Sequence, residues 1–84
     1  MLYNFLVEFR EYEKDIKKDV GLRLKECRKA IGKTQDEIAM LMLMTQQQYS
    51  RYENGIFELN YGQISFLCKL YNISADYLLG LSEK

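Results

Sequence analysis

The chain has 84 residues, with 12 Lys and Arg against 12 Asp and Glu and no His, so its formal charge is zero. That length holds one domain. A composition of 48% hydrophobic and 29% charged residues excludes disordered and fibrous classes, and no run reaches the roughly 18 to 20 apolar residues of a membrane helix.

Apolar residues at Leu2, Phe5, Leu6, Phe9, Tyr12, Ile16 and Val20 fall within an arc of about 120° on a helical wheel, predicting an amphipathic helix over 2–18. Val20, Leu24, Cys27 and Ile31 continue at spacings of four, three and four, predicting a helix over 20–31. Asp19 and Gly21 are the residues that separate the two, with one long helix as the alternative reading. Three later helix starts share a capping signature. Thr34 precedes Glu37 by three, Thr45 precedes Gln48, and Asn60 precedes Gln63; each first side chain accepts from a free amide while the Glu or Gln reaches back. Ser74 supplies a fourth cap. Gly32, Asn54-Gly55 and Gly80 are stops with left-handed tolerance. The later helices are therefore predicted at 35–42, 46–53, 61–71 and 75–79, and the absence of Pro also favours an all-α chain.

The charge is unevenly spread. Residues 14–33 hold eight basic residues against Asp15, Asp19 and Glu26, a net of +5, whereas 34–60 hold Arg51 against Asp36, Glu37, Glu53 and Glu58, a net of −3. A local basic face, more than the neutral total, decides affinity for a polyanion. A solvated helix face is the plain structural reading of the 14–33 cluster. Met1 to Glu8 has no basic leader pattern. Cys27 and Cys68 sit on apolar stripes, as expected of reduced thiols in a cytoplasmic protein without a metal or other cofactor.

Helices 35–42 and 46–53, joined by Leu43, Met44 and Thr45, have the layout of a helix-turn-helix. On the second helix Gln46, Gln47, Ser50 and Arg51 are outward-type residues, while Tyr49 and Tyr52 take core-like positions. A Gln amide can pair with the N6/N7 edge of adenine, and an Arg fork with O6/N7 of guanine.

Thr34-Gln35-Asp36-Glu37-Ile38-Ala39 through Ser50-Arg51-Tyr52-Glu53-Asn54-Gly55 resembles the Cro/C1-type helix-turn-helix family. The likeness extends to Gly21 through Arg28 and to Ile73 through Gly80. It implies a five-helix, lambda-repressor-like DNA-binding domain over 20–80, with 1–19 as an extra N-terminal helix for packing or dimerisation and 81–84 as a tail. It also implies roles. Gln46, Gln47 and Arg51 face base edges; Gln35, Thr45, Ser50 and Asn54 lie at the DNA backbone; Arg28 and Glu53 form a structural ion pair.

The chain departs from the family pattern at several places. Leu43 stands where Gly is usual, so the turn is expected to be reshaped or helix 35–42 lengthened. Tyr49 replaces an aliphatic residue, Lys33 an apolar one and Leu59 a Pro. The run Met40-Leu41-Met42-Leu43-Met44 reads as adaptable core. Together these features predict a transcriptional regulator, of repressor type and homodimeric, that binds operator DNA. The alternative is an antitoxin-like module that binds a toxin or anti-repressor and little DNA. An enzyme is disfavoured, since there is no His, no activated Cys and no phosphate loop. For residues 1–19, folding back on the core and pairing with a second copy are the two expectations.

Overall fold

The apolar periodicities on either side of Asp19 belong to one element. In a computed structural model, which describes residues 2–83 and the side chains of 8–83, helix α1 runs without a break over Leu2–Ala30. The predicted boundary between 18 and 20 is therefore corrected to a continuous helix. Gly21 is a contact residue there, not a breaker. A Cβ on it would lie 2.8 Å from the Tyr52 carbonyl oxygen and closer still to that of Glu53, so its lack of a side chain lets α1 abut the helix that ends at Glu53. At 1.5 Å per residue, α1 is about 43 Å long and sets the longest of the 46 × 27 × 20 Å dimensions.

Four shorter helices complete the described fold: α2 over Gln35–Leu41, α3 over Gln46–Glu53, α4 over Tyr61–Tyr71 and α5 over Ala75–Leu78. Each begins at a side chain that accepts from the amide three residues on: Thr34, Thr45, Asn60 and Ser74. In the first three the cap residue's own amide also donates to the side-chain oxygen of Glu37, Gln48 or Gln63, at 2.9 Å. α2 and α5 each stop one residue short of the predicted ends.

The core gathers Val20, Leu24, Ile38, Ala39, Tyr49, Leu67, Tyr71 and Leu78, with contributions from all five helices. α3 packs on both α1 and α2, and α5 packs on α4 and α1. Arg23 Nη1 also donates to the Leu78 carbonyl at 3.3 Å.

The Met40–Met44 run is corrected as well. Met42 and Met44 pack against the core, but Met40, Leu41 and Leu43 are 75, 51 and 94% exposed. The cause is local: α2 ends at Leu41, and the chain then reverses at Leu43 with φ +57. The turn is neither reshaped nor absorbed into a longer helix. The leucine adopts the left-handed conformation itself.

At the other end, Phe9 and Tyr12 are each 54% exposed on an α1 that runs away from the core, so the described residues do not fold back. Leu2, Phe5 and Leu6 of that stripe lie outside the described side chains. No helix among the described residues is long and apolar enough to cross a membrane.

Candidate functional site

α2 and α3 meet through the Leu43 turn, where the Met44 amide donates to the Ala39 carbonyl at 3.0 Å. α3 then has two unlike sides. Tyr49 and Glu53 point inward and are 0 and 4% exposed. Gln46, Gln47, Arg51 and Asn54 are exposed on the other side, with Ser50 half-buried beside them.

A connected polar system fixes the inward side. Arg28 Nε donates to Glu53 Oε2 at 2.7 Å, and its Nη2 donates to Oε1 at 3.1 Å. Its remaining arm donates to the Lys33 carbonyl at 2.9 Å. Arg28 is 8% exposed, so its guanidinium is a structural brace. A fork-matched, two-bond pair is what a buried Arg and carboxylate require. Burial pushes the Glu53 carboxyl upward, but the bonds from Arg28, Gln35 and Tyr49 outweigh it and hold the group below the ordinary carboxylate range.

Beside Glu53, Tyr49 and Tyr71 share a hydroxyl–hydroxyl bond of 2.8 Å. Burial raises both phenols, Tyr71 to about 12. This bond explains how a tyrosine occupies an aliphatic position: its polar end has a buried partner.

Gln35 carries the network outward. Its Nε2 donates to Glu53 Oε1 at 3.0 Å, and its Oε1 accepts from Gln46 Nε2. The buried ion pair is thus linked through two amides to the first residue of α3. Gln46 keeps its carbonyl oxygen and its second N–H for another partner.

Arg51 is held differently. Its guanidinium carbon lies 5.3 Å from the centroid of the Phe57 ring, which itself meets Tyr52 edge-on at 5.5 Å. Amides of Ile56 and Phe57 donate to the Arg51 carbonyl at 2.8 and 3.1 Å, closing the loop that brings the ring there. Phe57 was absent from the expected site residues. The signal that could have found it is an aromatic soon after the Asn54-Gly55 stop, facing an exposed Arg.

The expected backbone-contact residues divide. Thr45 is engaged as the α3 cap, and Asn54 Nδ2 donates to Ser50 Oγ at 3.2 Å. Gln35 is half-buried and engaged on both sides. Gln47 is exposed and makes no side-chain hydrogen bond among the described residues. The result is an exposed row of two glutamines and one arginine, with a donor–acceptor amide edge and a cationic fork of the kinds that pair with purine edges. The described residues contain no cluster of His, Cys, Asp and Glu suited to a metal ion. Burial raises the Cys27 and Cys68 thiols, the reverse of an activated nucleophile.

The model of the helix-turn-helix family matches residues 24–78. HTH-type transcriptional regulator ImmR of Bacillus subtilis (strain 168) is 39% identical over 64 residues, covering 76% of this chain and 50% of that protein. The SPbeta prophage-derived uncharacterized HTH-type transcriptional regulator YonR of the same organism is 36% identical over 59 residues, covering 70% and 55%. The chain spans about half the length of these curated relatives.

Proposed function

The chain belongs to the helix-turn-helix family, and from that premise we propose that it is a sequence-specific, double-stranded DNA-binding transcriptional regulator of repressor type that acts in the cytoplasm without enzymatic activity. The observation that carries this reading is the exposed row of Gln46, Gln47 and Arg51 on an α3 whose inner side is locked by Arg28–Glu53. Two regulator relatives covering most of the chain support it. In this reading α3 enters the major groove. Gln46, Gln47 and Arg51 read base edges, and Thr45, Ser50, Asn54 and the outer edge of Gln35 meet the sugar-phosphate backbone.

The protein works as a homodimer, because paired half-sites one helical turn apart, about 34 Å, need two recognition helices. The half-exposed Phe9 and Tyr12 on the α1 extension supply an apolar surface for a second copy. Selection from a random duplex pool, followed by mobility shifts across a salt series, tests the function. A recovered sequence with half-site symmetry and salt-weakened binding is expected. Failure to retain any duplex would favour the protein-interaction alternative.

A further inference from the structure

Most of the charge on α1 is sorted by side, Glu13 and Arg23 being the exceptions. At about 100° per residue, Lys14, Lys18, Lys25 and Lys29 fall within an arc of about 60°. Glu8, Asp15, Asp19 and Glu26 fall within about 40°, centred about 90° away. Glu11 lies at the margin of the basic arc. All four lysines are exposed, and none has an ion pair among the described residues.

Two glycines show which flank faces the candidate site. Gly21 has no room for a Cβ because the Tyr52 and Glu53 carbonyls at the end of α3 lie against it. A Cβ on Gly55 would come within 3.0 Å of Lys18 Cα. The end of α3 and the Asn54-Gly55 turn are therefore seated on the flank that adjoins the lysines, not the one that carries the acids. The exposed Phe9 and Tyr12 lie about 100° or more from every lysine of the ridge, so a second copy could cover them without hiding the lysines.

We propose that this lysine ridge is an additional DNA-contact surface, which takes backbone phosphates beside the base pairs that α3 reads. The proposal rests on the regulator reading and adds to it a site on α1, part of which precedes the family match at residues 24–78. From Lys14 to Lys29 the ridge is about 22 Å long, enough to meet several phosphates of a duplex that carries one charge per about 1.7 Å. Flexible lysines suit this task, since a phosphate contact needs a point charge and no fixed fork.

The test compares the parent with Lys14→Gln/Lys18→Gln, with all four lysines changed to Gln, and with Lys69→Gln, an exposed lysine on α4, as a control. Each variant is titrated with the selected duplex and with an unrelated duplex across a salt series, after a thermal melt establishes that it is folded. The ridge variants should flatten the dependence of log affinity on log salt by about 0.9 for each phosphate no longer neutralised. They should also weaken both duplexes by a similar factor and leave base preference intact, while Lys69→Gln leaves the slope unchanged. A parent that binds duplex with the same slope as both ridge variants overturns the ridge alone. Equal flattening by Lys69→Gln also overturns it, since that marks a net-charge effect. A parent that binds no duplex overturns the regulator reading and the ridge with it.

Discussion

Leu43 holds a left-handed backbone, φ +57, with its side chain 94% exposed. The strain is of the order of 1 kcal/mol or more for a residue with a Cβ, and almost no buried surface offsets it. Leu43→Gly should therefore raise stability by less than about 1 kcal/mol, the relief of strain exceeding the added freedom of the unfolded chain. Urea unfolding at constant m-value measures it; a loss of stability would show that the leucine side chain contributes in the folded monomer. The Arg28–Glu53 pair has the opposite character. Arg28→Ala strands a buried carboxylate and should cost about 3 to 5 kcal/mol, while Arg28→Met with Glu53→Leu recovers much of that. Because the folded Glu53 lies below the ordinary carboxylate range, its contribution is present above the unfolded value of about 4.3 and is lost as pH falls through the folded value. Unfolding free energies at neutral pH and near pH 3 should differ less in Glu53→Gln than in the parent. An equal difference in both would remove Glu53 from the acid response.

Among the elements, α1 shows what local sequence can and cannot report. The caps of α2, α3 and α4 were legible because a Thr or Asn and a Glu or Gln three residues on meet within one turn. The continuity of α1 was not. Asp19 and Gly21 are breaker residues by composition, yet Gly21 answers to the α3 carbonyls, more than thirty positions later in the chain. A long-range contact of that kind leaves no periodic trace. The same holds for Tyr71 beside Tyr49, whose hydroxyls are brought together only by the fold. Gly21→Ala should therefore destabilise the protein, although alanine favours an isolated helix by roughly 1 kcal/mol. A thermal midpoint equal to or above the parent's would show that α1 can shift from α3 without cost. The α1 extension carries a second expectation. Phe9→Glu with Tyr12→Glu should leave the helical fold intact by circular dichroism, since both residues are half-exposed in the single chain, and should convert a dimer into a monomer at micromolar concentration, with the melt losing its dependence on protein concentration. Persistence of the dimer in light scattering would place the interface elsewhere.

At the scale of the whole molecule, a formally neutral chain is divided into surfaces of different character: an outward row on α3, a lysine flank on α1 and an apolar stripe beyond the core. The outward row could be anticipated from Gln46, Gln47 and Arg51 on a helix with inward Tyr49. The linkage that holds its first residue, from Arg28 through Glu53 and Gln35 to Gln46, needed the fold to bring separate segments together. In the proposed function α3 reads base edges. Its most direct test is the affinity of Arg51→Ala and Gln46→Ala for the selected operator and for each single-base change in it. Each substitution should cost about 1 to 3 kcal/mol and relax preference at one base position, whereas Asn54→Ala, whose side chain bonds only to Ser50 among the described residues, should weaken all sequences more evenly. An Arg51→Ala protein with the parent's affinity and the parent's preference at every position would contradict it.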